Sequence, residues 1–325
     1  MLKYILKRLI ILIPVVILIT IILFWIRQLM PGDPIRMMLS PNLRPEVYQN
    51  AYDTMARRLG YDRPVYEQYF RWIYNLVAHR DLGHSTMYNR PVAEAVAQPL
   101  RNSILLNGLV NMFYLLIALP LGIKMAVKRH SFFDNSMQVF SLVTYSIPSF
   151  FIGLTLLFIF GITVGWLPLG GMPNRALIGE GLPLVIAWVR HLILPVTTLT
   201  IVSLATAMRY VRNAMIDALS QDYIRTARSK GLSEKVVIYS HAFRNALIPI
   251  STVIVFTIFA LFAGAALTES VFQYNGIGYL LVQAVRNRDT MMIISMNLFF
   301  AIVNVTAVLI ADIIYGLVDP RIKLK

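Results

Sequence analysis

The sequence predicts an all-α integral membrane protein with six transmembrane helices. Three observations carry that prediction. The 325 residues are 57% hydrophobic and only 14% charged, with a mean hydropathy of +0.64, whereas soluble domains carry roughly 25% charged residues. Six apolar runs each come near the ~20 residues that cross ~30 Å of hydrocarbon. The lysines all fall in segments that a single topology assigns to one side.

The first run, Leu9 to Ile26, is broken only by Pro14 and Thr20, and Lys3, Lys7 and Arg8 precede it. A cleaved signal peptide has a shorter apolar core that ends in small residues. This run ends Phe24-Trp25-Ile26-Arg27, so an uncleaved span with its N-terminus inside is expected. Pro31-Gly-Asp-Pro34 then breaks the helix. Residues 31–102 are mixed and polar, and Val65, Tyr69, Trp72, Ile73, Leu76 and Val77 follow helical spacing. One amphipathic helix is expected there, packed on the spans or lying at the membrane surface. Asp81-Leu-Gly-His-Ser85 reads as a turn.

Five further runs follow, at about Ile104–Val127, Val139–Val164, Ile193–Met208, Ala246–Leu267 and Met291–Leu317. The fourth run overall is shorter and carries Thr197, Thr198, Thr200, Ser203 and Thr206. Such a helix belongs inside a bundle, where hydroxyls bond neighbours or line a wet path. Six spans put both termini on one side. All eight lysines (3, 7, 124, 128, 230, 235, 323 and 325) then lie in the cytoplasm, and none lies in 31–102, 165–191 or 268–290. Nine arginines in 31–102 do not offend the rule, because long segments translocate largely regardless of charge. The expected organisation is a first span (1–30) and an extracytoplasmic segment (31–102). A five-helix core (103–317) contains a cytoplasmic loop (209–245), and a cytoplasmic tail (318–325) closes the chain.

Composition also excludes function classes. No cysteine is present, so disulfides, thiol chemistry and thiolate metal sites are out. The net charge of +14 does not point to nucleic acid, since the cations sit at the ends of apolar runs. The sequence has no His-Glu-x-x-His, no Gly-x-Ser-x-Gly and no phosphate loop, and the five histidines lack ligand spacing. If ATP drives this protein, the nucleotide binds another chain.

One polar, basic island interrupts the second half: Asp222-Tyr-Ile-Arg-Thr-Ala-Arg-Ser-Lys-Gly-Leu-Ser-Glu-Lys235. Ala227, Arg228 and Lys230 favour helix, Gly231 permits a turn, and Ser233 can cap a second short helix into Val236, Val237 and Ile238. By charge alone this is a solvated loop that orients the spans. Its length allows more: a helix-turn-helix between two spans can carry a docking surface.

Arg-Thr-Ala-Arg-Ser-Lys-Gly (225–231), His241 and Arg244-Asn-Ala-Leu-Ile-Pro249 resemble the cytoplasmic loop of ABC import permeases, in particular the dipeptide/oligopeptide branch. The superfamily loop begins Glu-Ala-Ala and has glycine four residues after the second alanine; Ala227 and Gly231 match, while Arg225 and Thr226 depart as the peptide branch does. Pro31-Gly-Asp-Pro34, Asp81–Ser85, Ile147-Pro-Ser-Phe-Phe-Ile-Gly153, His191-Leu-Ile-Leu-Pro195, Glu269-Ser-Val-Phe, Gly276-Ile-Gly278 and Asp319-Pro-Arg321 are similar to the branch's landmarks, in order along nearly the whole chain.

The resemblance implies a type I ABC importer permease fold and transport of di- or oligopeptides through the lipid membrane. It implies a second homologous permease, two ABC ATPases that hold ATP and Mg, and an extracytoplasmic substrate-binding protein. It makes residues 222–235 a coupling helix against the ATPase, with Asp222, Arg225, Ala227, Arg228, Gly231, Leu232 and Ser233 as contact candidates and His241 and Arg244 at its border. The bacterial inner membrane is the implied location. A nickel or metal-chelate importer shares this branch. A proton-driven secondary transporter would show repeats and a carboxylate relay, but only Asp312 stands in a span. An intramembrane enzyme would need a nucleophile–base pair, which is lacking.

Within the spans, Asn107 and Asn111 share one face, as do Asn297 and Asn304. Interhelical hydrogen bonding, at about 0.6 kcal/mol each in membranes, is favoured over contact with substrate in a translocation path. Asp312 is expected to pair with a cytoplasmic-side arginine. Gly264 with Ala263, Ala265 and Ala266 is expected to allow close helix approach on the fifth span.

Overall fold

The first apolar run forms a single helix, Leu2–Leu29, with Pro14 inside it. The computed structural model describes residues 2–30, 35–36, 39 and 42–318. The Pro31–Pro34 break, the Asp319-Pro-Arg321 motif and the tail from 319 onward lie outside the described residues. The expected amphipathic helix is present as Val65–Ala78. A second helix, Pro45–Leu59, was not expected; its apolar stripe of Val47, Ala51 and Met55 is thin and its proline start is the clearer signal. The Asp81–Ser85 turn forms, with Asp81 Oδ1 accepting the Gly83 N–H at 2.8 Å. It leads into an antiparallel ribbon pairing His84 with Pro91 and Ser85 with Arg90, the one sheet among the described residues.

Among the described residues, four helices are long and apolar enough to cross a membrane, or six if two bent pairs each count as one span. The third run departs from a straight span. Phe132–Ser146 and Ser149–Thr163 meet at 98°, because Pro148 pushes Ile147 out of the helical region to φ −90°, ψ 127°. The fourth run is far longer than its hydropathy implied: Leu182–Leu219 is one helix of 38 residues, so the later part of 165–191 is helix rather than loop. The fifth bends by 46° between Glu234–Ser251 and Val253–Ala260, just after Pro249, and its helix stops at Ala260. Gly264 therefore lies beyond that helix, in a turn against the Gly278 backbone, where a Cβ would collide. It serves a loop crossing and not the helix–helix approach expected. The sixth span is Thr290–Val318.

The chain divides into two compact units, Met1–Arg101 with Leu280–Thr306, and Asn102–Tyr279 with Ala307–Lys325. In the first, Phe24, Trp72, Ile294 and Leu298 are buried together. Tyr69 stands edge-on to Phe24 at 5.3 Å and its hydroxyl bonds Thr20 Oγ1 at 2.9 Å. In the second, Leu182–Leu219 is central: Phe132–Ser146, Ser149–Leu156 and Arg244–Ala260 all pack on it. Its hydroxyls go inside only in part: Thr198 and Thr200 are buried, Thr197 and Ser203 half-buried and Thr206 exposed, and Thr198 bonds the Leu194 carbonyl of its own helix at 2.8 Å.

A buried acid organises the loop after the fifth span. Glu269 is 0% exposed. Its carboxylate accepts Ser103 Oγ–H at 2.9 Å, Tyr279 N–H at 2.8 Å and Ala265 N–H at 3.2 Å. Burial pushes its carboxyl above the ordinary value, and these hydrogen bonds partly offset the rise. Burial and the nearby Glu269 charge also raise the Tyr274 phenol. A Cβ on Gly276 would sit 2.5 Å from the Glu269 carboxyl carbon, which explains glycine there.

Candidate functional site: the loop from 209 to 245

The basic island folds as a helix, Asp222–Ser229, a turn, and a second helical segment. Gln221 takes the extended N-cap conformation that separates it from the preceding long helix. At the other end Lys230 N–H bonds the Thr226 carbonyl at 3.1 Å and Gly231 N–H bonds the Arg228 carbonyl at 2.9 Å. Gly231 has φ +73°, the left-handed value expected of it, and nothing lies within 4 Å of where its Cβ would be. Its demand is conformational, not steric.

Ser233 occupies the N-cap position of Glu234–Val236, but its side chain makes no cap bond. The expected hydroxyl cap is thus absent; the Ser233 carbonyl accepts Val237 N–H at 3.0 Å. The segment then widens into a π-helix, Val237–Phe243, before Arg244–Ala260. His241 and Arg244 lie at this junction.

The short helix has two faces. Ile224 and Ala227 are buried in one apolar cluster with Met215, Ala218, Val237 and Ala242. Asp222, Arg225, Arg228, Gly231, Leu232 and Ser233 are exposed. Of the contact candidates, Ala227 is the one the structure turns inward: at 5% exposure it packs on its own chain. Arg228 reaches across the turn and holds Glu234 at two points, 2.8 and 3.3 Å. Arg225 and Asp222 pair more loosely at 3.6 Å, with side chains 79% and 95% exposed, a geometry of little energetic weight.

Ten residues before the island lies a feature that sequence reading missed. Arg212 donates to Asp134 at the start of Phe132–Ser146 through Nε at 2.6 Å and Nη2 at 2.8 Å. The two are 78 positions apart and no local pattern joins them.

The asparagine pairs separate. Asn107 Nδ2 donates to the carbonyls of Ala263 at 2.6 Å and Leu261 at 3.3 Å, and Asn111 to that of Thr257 at 2.9 Å. Residues 261 and 263 follow the end of the fifth-span helix, where carbonyls lack helical partners. Asn111 thus makes the interhelical bond expected, while Asn107 bonds the segment that follows the fifth-span helix. Asn297 and Asn304 do not: each bonds a carbonyl of its own helix, Ile293 at 2.8 Å and Phe300 at 3.1 Å. Asp312 is partnered.

Comparison with known proteins shows the family of the chain. Residues 118–324 match the family model described as binding-protein-dependent transport system inner membrane component. Residues 1–102 match the model of the corresponding N-terminal region. Curated relatives align end to end. A putative peptide permease protein of Brucella suis is 37% identical over 324 residues, 99% of each chain. The oligopeptide transport system permease of Bacillus subtilis is 35% identical over 99% of this chain and 100% of its own. The di/tripeptide transport system permease of Pseudomonas aeruginosa is 36% identical over 99% of each.

Proposed function

Because the chain belongs to the family of binding-protein-dependent transport system inner membrane components, we propose that it is the permease subunit of an ATP-driven importer of di- and oligopeptides. The observation that carries the cargo is the end-to-end similarity to relatives named as peptide, oligopeptide and di/tripeptide permeases. The family is a transport component of the inner membrane and not an enzyme.

In this reading a second, homologous permease completes the path, a binding protein delivers peptide from outside, and two ATPase subunits hold ATP and Mg. The exposed face of Asp222–Ser233 meets an ATPase. Ile224 and Ala227 anchor that helix in the cluster that also holds Val211, Met215 and Ala246. A push on the exposed face therefore moves Leu182–Leu219 and Arg244–Ala260 together rather than bending the loop. The Arg228–Glu234 bridge ties the two limbs of the turn. Asn107 and Asn111 brace the end of the fifth span and are assigned to bracing rather than to peptide contact.

The test is uptake of labelled di- and oligopeptides by cells that express this chain with its partner subunits. Uptake should stop when ATP is depleted with the proton gradient kept. Uptake that follows the gradient and ignores ATP overturns the reading. The lysine distribution supports cytoplasmic termini. On intact cells an impermeant thiol reagent should label cysteine placed at Glu46 and not at Lys128; the opposite pattern reverses the orientation.

A further inference from the structure

In the first unit a cavity of about 380 Å³ lies beside the end of the first span. Arg27, Arg71 and Arg288 line it, with His84, against the single carboxylate of Asp81. One oxygen of that carboxylate already accepts the Gly83 N–H. Three guanidinium groups against one carboxylate give the wall an excess of positive charge, which favours an anion.

Two of the three arginines are held in position by their surroundings. The Arg27 guanidinium lies over the Tyr61 ring at 4.8 Å and the Phe24 ring at 5.6 Å. These ring contacts hold the guanidinium beside the cavity, and a guanidinium's planar fork of N–H donors can take a phosphate at two points. Arg288 has φ +54°, a left-handed value that is strained for a residue with a Cβ and persists only where neighbours enforce it. Asp289 enforces it. Fully buried, its carboxylate accepts Ser85 Oγ–H at 2.5 Å and the N–H groups of Met87 and Met292 at 3.1 Å.

Depth supplies the last argument. Arg27 is in the final turn of the span Arg8–Leu29, while Thr290 and Met291 open the span Thr290–Ile313. Two spans end at this cavity, so it lies at the level of lipid headgroups. Trp72 and Met291 add apolar wall. We infer that the cavity binds a phosphate group, supplied by an anionic phospholipid of the adjoining leaflet, with free phosphate as the other source of the same chemistry.

The test uses the full-length protein with its co-purifying subunits, in phosphatidylcholine nanodiscs containing some phosphatidylglycerol. Native mass spectrometry reads the phosphatidylglycerol retained after delipidation. Arg71→Gln and Arg288→Gln should each lower retention roughly tenfold, or about 1.4 kcal/mol. Arg71→Lys should fall between, and Arg101→Gln, exposed and outside the cavity, should match wild type. A second arm adds inorganic phosphate to lipid-free micelles and reads the thermal midpoint. A shift seen in wild type and lost in Arg71→Gln, without retained lipid, keeps the site and assigns it to free phosphate. Equal retention and equal phosphate response in wild type and Arg71→Gln overturn the site, as does an equal loss in Arg101→Gln. Arg71 is exposed on its helix, so its substitution is expected to fold, and the unliganded midpoint checks this.

Discussion

Arg212 grips Asp134 with two parallel hydrogen bonds, where Asp134 is 0% and Arg212 12% exposed. The pair fastens the start of Phe132–Ser146 to the part of Leu182–Leu219 that leads into the basic island. Removing one partner of such a pair leaves a buried charge, at about 3–5 kcal/mol. Asp134→Ala should therefore lower the thermal midpoint sharply in detergent. Asp134→Leu with Arg212→Met together should recover much of the loss. A double variant as weak as the single one would refute the pairwise account.

Gly231→Val should abolish peptide uptake while membrane abundance stays normal. The reason is φ +73° with open space around the site: a β-branched residue is strained there though nothing blocks it. Gly231→Asn should be milder, because asparagine tolerates this region. Uptake by the valine and asparagine variants, each normalised to protein in the membrane, distinguishes strain from a steric effect, which would scale with size alone.

Ala227→Asp should act through stability. Ala227 is buried on its own chain, and a carboxylate there lacks a partner, which costs about 3–5 kcal/mol. Arg225→Ala changes an exposed side chain and should leave abundance intact while weakening co-purification of the ATPase. If Ala227→Asp protein accumulates normally and only docking fails, the inward face has been misread.

Asn107→Leu should destabilise by about 0.6–1.7 kcal/mol, the range for polar contacts in membranes, because it strips the carbonyls of Leu261 and Ala263 of their donor. Asn304→Leu removes a bond to its own helix alone and should stay within about 0.5 kcal/mol of wild type. Thermal midpoints of the two variants side by side decide this; equal losses would contradict it.

Glu269 should make stability depend on pH. Its folded-state carboxyl is raised by burial, so the linked stabilisation is full below the ordinary carboxylate value of about 4.3 and is lost as pH rises through the raised one. The midpoint of wild type minus that of Glu269→Gln should fall across that window and then level off. A difference that stays constant with pH would count against this.

Long apolar runs, the stripe from Val65 to Val77 and the turn at Gly231 were legible because each rests on local chemistry: hydropathy, periodicity, and a glycine after helix formers. The bend at Ile147-Pro148 was not, since hydropathy is blind to direction and both limbs are apolar. The extension of the fourth span back to Leu182 hid behind Arg190 and His191, which interrupt the run without interrupting the helix. Within the candidate site, the inward turn of Ala227 was readable in principle from its spacing of three from Ile224. The Asp134–Arg212 pair was not, because only the fold brings those positions together.

The π-helix from Val237 to Phe243 sets an angle. Each such widening amounts to an extra residue in the ladder relative to an α-turn, and one residue of α-helix advances by about 100°. Deleting a single position in 237–243 should let the ladder close in the ordinary way and swing everything before it by roughly that amount about the axis of Arg244–Ala260. The exposed charges at Arg225 and Arg228 would then point a quarter-turn away from their present bearing, with composition and hydropathy almost unchanged. In this stretch chain length acts as a dial on aim, so a one-codon deletion here should be far more harmful than one in the exposed loop around Gly179.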